Sequence, residues 1–237
     1  MSLRFKYFII SFSLLKGFLS FSQEKYTDYS EPEVDSINSF FYREDQVYLG
    51  LSFVALVSDQ DAFDTRGLSS HFQFGVIRDF PIIPSGQLAL GVGLGMGFER
   101  YNTNLNRTED FNKKGIYSLV NDTNVSPLFF SIQSLELPIS LRWRTSTPSD
   151  YAFWRIYGGI SFQWNYRLIA NQDNFSLVVD DELNNFGATT HLSFGYNTWN
   201  FYIAYRISPF FNINSLSSQT LSIELTPIKV GLIFYLL

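Results

Sequence analysis

The sequence contains no cysteine, which removes disulfides, thiol nucleophiles and cysteine-ligated metal sites from consideration. Charge is scarce as well, at 16% Asp, Glu, Lys and Arg, against roughly 25% in ordinary soluble domains. The Lys and Arg residues are scattered and the formal net charge is -5, so nothing resembles a nucleic-acid face. Beyond the first two dozen residues, no apolar run approaches the roughly 20 residues that a spanning helix needs. What the chain has in excess is aromatic: 18% Phe, Trp and Tyr, with 25 phenylalanines among 237 residues. Few charges and many aromatics suit a surface that meets lipid and its interfaces.

The amino terminus has the order of an export signal. Met1, Arg4 and Lys6 precede an apolar stretch over 7–19, interrupted by Lys16, and then Ser20, Phe21, Ser22 and Gln23. Basic start, short apolar middle and small residues before a cleavage near 22–23 predict a signal peptide over 1–23. Residues 24–45 are acidic and polar, with Pro32 and several serines, and are expected to form a flexible periplasmic lead.

The most telling segment is 87–100. Leu88, Leu90, Val92, Leu94, Met96 and Phe98 alternate with Ala89, Gly91, Gly93, Gly95 and Gly97. In a strand, successive side chains point to opposite faces, so one face here is uniformly apolar and the other nearly bare. The glycines are expected to leave room for bulky residues of other strands. Similar alternation recurs over 46–57, 68–80, 130–144, 151–167, 186–196, 200–209 and 219–237, which gives eight strands. Short connections alternate with long polar ones, the longest being 102–128 and 168–185. Export, two-faced strands and alternating loop lengths together predict an all-β fold: an eight-stranded antiparallel transmembrane β-barrel of outer-membrane type over 46–237. In the last strand, Leu221, Ile223 and Leu225 share a face, and after Pro227 the apolar face resumes one position out of phase. A bulge at 226–227 is the expected cause.

These registers point Glu136, Arg142, Arg155, Arg206 and Glu224 into the lumen and, depending on the phase of the last strand, Lys229. An eight-stranded barrel has room inside only for side chains. The charges are therefore expected to pair as a plug, with Glu136 and Glu224 opposite Arg155 and Arg206. The other reading is a conducting or substrate-binding lumen. His71 and His191 also face inward and are expected to be hydrogen-bonded lumen residues, not a metal pair. No serine stands beside either histidine as an activated nucleophile, and the glycine run lacks the following helix of a phosphate loop. The expectation is a non-enzymatic protein without catalytic, metal or cofactor residues, whose binding surfaces are the long loops or the lead.

The stretch Gln133-Ser134-Leu135-Glu136-Leu137-Pro138-Ile139 resembles the "LE(I/L)P" element of the PorT-like family of Bacteroidetes outer-membrane barrels. As in that family, the element lies on a mid-chain strand after a long loop. The export signal, the glycine-alternating third strand and the terminal strand extend the resemblance over most of the chain. The resemblance implies an outer-membrane location. It also implies a role as an accessory of type IX protein secretion, and of gliding motility where present, exerted through contacts with other secretion proteins. The same family includes small barrels of generic structural or surface-binding role. Glu136 matches the family's strand glutamate, and no catalytic residue is implied.

Overall fold

The computed structural model describes residues 45–112, 114–120, 122, 126, 128–145, 153–172, 175–212, 214, 216 and 223–236. The signal peptide expected over 1–23 and the lead expected over 24–45 lie outside the described residues, apart from Asp45. Eleven strands follow in chain order: β1 (Asp45–Ser58), β2 (Ser70–Pro81), β3 (Leu88–Thr103), β4 (Leu105–Glu109), β5 (Gly115–Leu119), β6 (Leu128–Arg144), β7 (Trp154–Gln172), β8 (Phe175–Val178), β9 (Phe186–Tyr196), β10 (Trp199–Arg206) and β11 (Leu225–Leu236).

Eight of these close on themselves. The sheet runs β6-β3-β2-β1-β11-β10-β9-β7, and β6 also pairs with β7, so the described residues form a closed antiparallel barrel. Closure follows from the physics of a two-faced sheet in lipid, where an open edge would leave backbone groups unbonded. The short strands lie outside this ring: β4 and β5 form a hairpin in the longest loop, and β8 pairs with the end of β7.

The alternation sets the register. Along β1, Val47, Leu49, Leu51 and Phe53 are exposed, whereas Tyr48, Gly50 and Ser52 are buried. The outward face of β3 meets β2 through Phe72 opposite Phe98 and Phe74 opposite Met96. Its inward face is bare for a reason visible in the packing. A Cβ on Gly91 would lie 2.5 Å from Arg142 Cδ, and one on Gly93 would lie 2.6 Å from Ile77 Cγ1. Cβ atoms on Gly95 and Gly97 would run into the Tyr48 hydroxyl and the Glu136 carboxylate. Four bulky side chains of β1, β2 and β6 thus lean over the backbone of β3 on its inward face.

Two turns depend on left-handed backbone. Asn197 (φ 55°) opens the two-residue link between β9 and β10, and Gly86 (φ 69°) sits in the turn between β2 and β3. Asparagine and glycine are the residues that accept this region at least strain. The links β2–β3, β6–β7 and β9–β10 are the short ones, and β1 begins at the same end. In barrels of this kind short turns face the periplasm and long loops face outward.

The structure departs from the sequence-based expectation in the last strand. Ser58 to Val47 pairs with Leu225 to Leu236 without any shift, so there is no bulge at 226–227. Ile223 and Leu225 are buried inside, not turned toward lipid. The one register shift in β6–β7 lies instead between Gln133 and Ser134. Apolar side chains face inward at the loop end of β11 because the interior there is itself apolar.

There, inward side chains of the strands join residues of the loops in one apolar cluster. Val54, Leu56, Tyr101, Phe130, Ile132, Leu168 and Leu225 from the wall pack with Leu105, Tyr117, Val179, Leu183, Phe210 and Phe211 from the connections. Tyr117 and Phe211 rings lie 5.0 Å apart. The long loops are also tied by hydrogen bonds. Arg66 donates to the carbonyls of Val120 and Asp122 at 2.8 Å, and Asn184 Nδ2 donates to the Pro209 carbonyl at 2.9 Å. The long connections, polar in sequence, therefore fold into a cap with its own core.

Candidate functional site

The interior below this cap is polar, and it is built by parity: every second residue of each strand is delivered to it. Four of the five predicted lumen charges, Glu136, Arg142, Arg155 and Arg206, are buried there, as is Lys229. Glu224 is not. It is exposed just before β11, and its backbone N–H donates to Asp59 Oδ1 at 3.0 Å. Its misplacement has the same origin as the absent bulge, since Ile223 and Leu225 occupy the inward positions.

The partners also differ from those expected. At the short-turn end, Asp79 of β2 is fully buried and takes both arginines of β6: Arg142 Nη1 bonds Oδ1, and Arg144 Nη1 donates to Oδ2 at 2.6 Å. Arg142 also donates to Gln46 Oε1, and its guanidinium lies 3.8 Å from the Tyr157 ring centre. Arg155 stands apart from this pairing. It is 1% exposed and stacks at 4.4 Å on Phe153, while its Nε and Nη1 have no hydrogen-bond partner.

A second cluster lies nearer the cap. Glu99 of β3 accepts from Lys229 Nζ and from the Tyr101 hydroxyl. Gln163 Nε2 donates to Glu136 Oε1 at 2.9 Å, and its Oε1 accepts from Thr189 at 3.1 Å. Arg206 Nε donates to Ser208 Oγ at 3.2 Å instead of meeting either glutamate directly. The sequence reading missed Asp79, Glu99 and Arg144. All three occupy inward parity, an even number of residues from Gln73, Gly97 and Arg142, so the strand period alone marks them.

His71 sits between the two glutamates, with Nε2 3.9 Å from Glu99 Oε1 and 3.8 Å from Glu136 Oε1. The three residues bring ligand atoms within 4.8 Å of one another, a donor set of the type that holds divalent cations. The Lys229 ammonium, however, is bonded to the same Glu99 oxygen that faces His71. An ion placed there would have to displace it. His191 does not join this group; it stacks on Tyr202 with ring centres 6.2 Å apart.

Packing, in sum, fills the lumen from both ends, with an apolar plug under the loops and salt-bridged polar layers below. The family described as outer membrane protein beta-barrel domain matches residues 21–217. The chain belongs to that family. Its aromatic belt is then an interface with membrane: Trp143, Trp154, Tyr196 and Trp199 ring the short-turn end, all exposed on the outer wall. Trp154 and Tyr196 meet edge-on at 5.5 Å, and Trp199 meets Phe234 at 4.6 Å. No curated protein matches this outer-membrane barrel.

Outside the membrane wall, the cap of the barrel has its own charged centre. Glu182 accepts from Arg107 Nε at 2.9 Å and Nη2 at 2.5 Å, and from the Tyr117 hydroxyl at 2.6 Å. Burial raises the Glu182 pKa, but the Arg107 and Tyr117 hydrogen bonds and the Arg107 charge outweigh it, so the carboxyl lies below its usual 4.5. A carboxylate with a depressed folded pKa stabilises the fold above its unfolded value and loses that contribution as pH falls through the folded one. The cap is therefore expected to loosen only below about pH 4.5, and Glu182→Gln to remove that dependence. Amide exchange of β4 and β5 measured against pH checks this; equal acid sensitivity in the variant would contradict it.

Proposed function

We propose that this outer-membrane barrel acts through protein contacts at its loop end, without chemistry of its own, as an accessory component of type IX protein secretion. The observation that carries the first half of this reading is β8. All four of its residues are exposed, with Phe175 at 75% and Val178 at 70%, and among the described residues it pairs along one edge, to β7. A short apolar strand with a free edge at a membrane surface offers backbone hydrogen bonds and side-chain pockets to an incoming strand. The filled interior supports the same reading: among the described residues an apolar plug and salt-bridged layers occupy the lumen. The second half rests on the resemblance of residues 133–139 to the PorT-like element, whose glutamate, Glu136, holds Gln163 and neighbours His71 in the lumen.

Deleting the gene and cataloguing secreted proteins tests the secretion role: stalled cargo is expected. Intact export would leave a small barrel of structural or surface-binding role, in which the lumen charges serve packing alone. Val178→Lys separates the contact surface from the barrel, because Val178 is 70% exposed on β8, outside the closed ring. The variant is expected to fold and to lose copurifying secretion proteins. In planar bilayers the purified protein is expected to show no steady conductance.

A further inference from the structure

The outer wall carries a feature that neither the lumen nor the cap uses. On the membrane face of β1, β2, β3 and β11, a groove of about 580 Å³ runs between Leu51, Phe53, Phe72, Phe98 and Leu232. Its exposed lining is mostly apolar; the buried Ser52, His71 and Glu99 border it from the inward positions, and toward the loop end Arg100 closes it beside Ser70 and Ser131. Ser70 and Ser131 are the two residues directly across from Arg100 on the neighbouring strands.

This end of the groove coincides with the level at which the wall stops being apolar. On β3, outward Leu94, Met96 and Phe98 give way to Arg100; on β6, Leu137 and Leu135 give way to Gln133 and Ser131; on β7, Phe162 and Trp164 give way to Tyr166 and Arg167. The Tyr166 hydroxyl donates to Gln133 Oε1 at 3.2 Å, which marks the same polar line. Arg167 lies across from Gln133, two residues along β6 from the partner of Arg100. Strand spacing and rise put the two arginine Cα atoms about 12 Å apart, within joint reach of one headgroup. Both side chains are exposed, and among the described residues neither has a carboxylate partner. Arg100 rests its guanidinium 4.1 Å above the Phe129 ring, which leaves its N–H edge free to donate.

We infer that this groove and its arginines form a site for a phosphate-bearing membrane lipid. One acyl chain lies between Leu51, Phe72 and Phe98, and the phosphate is held by Arg100 with help from Arg167. A guanidinium presents paired donors to phosphate oxygens, and at the edge of the membrane the exchange of water for phosphate is favourable. A zwitterionic lipid would fill the groove equally well but would gain less at the arginines, because its own cation competes for the phosphate.

Full-length protein purified in neutral detergent is titrated with dipalmitoyl phosphatidic acid and with dipalmitoyl phosphatidylcholine, and bound lipid is read by native mass spectrometry. Preference for phosphatidic acid is expected, with each arginine contributing about fivefold, so that R100Q weakens it and R100Q with R167Q abolishes it. Leu51→Trp, which fills the groove from its wall, is expected to reduce binding of both lipids. Retention of the heat-modifiable electrophoretic shift confirms that each variant is a closed barrel. Equal binding of the two lipids to the unaltered protein, or an undiminished preference in the double variant, overturns the site. Inorganic phosphate binding as tightly as the lipid would show an anion site without a chain-binding groove, and would overturn it as well.

Discussion

Gly95→Leu is expected to abolish assembly of the barrel. A Cβ at this position would collide with the Tyr48 hydroxyl and lie 2.7 Å from the Phe74 carbonyl oxygen. Tyr48 is 2% exposed and reaches from β1 over Gly75 of β2, while the carbonyl belongs to the paired strand β2, so neither can retreat without disturbing the wall. Overpacking of an ordinary core costs about 1 to 3 kcal/mol, and a closed ring with a backbone atom in the way has less freedom to relax. The effect should sit at or above the top of that range. Gly158→Ala is the matched control, because its Cβ faces outward and meets Leu192 Cδ1 at an ordinary 3.5 Å. On the opposite face of β3, Leu94→Arg is expected to destabilise by about 2 to 4 kcal/mol, as charge does at mid-membrane lipid positions. Leu94 is 60% exposed on the wall. Folding into vesicles, followed by urea titration, measures all three; equal tolerance of Gly95→Leu and Gly158→Ala would refute the packing described.

Asp79→Ala is the second large effect. One carboxylate neutralises Arg142 and Arg144, and all three side chains are completely enclosed. Removing the shared partner takes the carboxylate away from two buried guanidinium groups that stand beside a third, Arg155, across the β6–β7 seam. Breaking a single buried pair costs about 3 to 5 kcal/mol, and the double loss should reach the upper part of that range. Asp45→Ala supplies the contrast. Its pair with Arg78 spans 3.4 Å between two largely exposed side chains, and exposed pairs contribute about 0 to 1 kcal/mol. A triple comparison with Arg144→Met and the Asp79→Ala, Arg144→Met double variant checks the coupling. Additive losses would show that the two residues do not act as a unit.

The inner and outer faces of β1, β2, β3, β9 and β10 were legible because each residue there obeys a two-residue period and lipid enforces the sign. The same period carried Arg142, Arg155, Arg206 and Glu136 to the interior. It failed at β11, where the rule that apolar means outward no longer applies. Ile223 and Leu225 turn inward because the cap above them is an apolar core, and Glu224 is displaced to the water side in consequence. The loop residues that build that core, such as Leu105, Tyr117, Leu183 and Phe211, follow no period. Their burial comes from contacts between segments distant in sequence, which composition does not encode.

Alternation of side chains along a strand is a local property, so the sequence by itself determined that this chain forms two-faced strands, that they close into a barrel and that lipid surrounds it. Pairing of charges is a property of positions brought together by closure. Tertiary structure alone decided that Asp79 takes Arg142 and Arg144, that Glu136 meets Gln163 and not Arg155 or Arg206, that Lys229 meets Glu99, and that the loops fold into a plug. The distinction is one of range: hydrophobic periodicity is written within ten residues, whereas a salt bridge from β2 to β6 depends on which strands the closed ring sets side by side and across from one another.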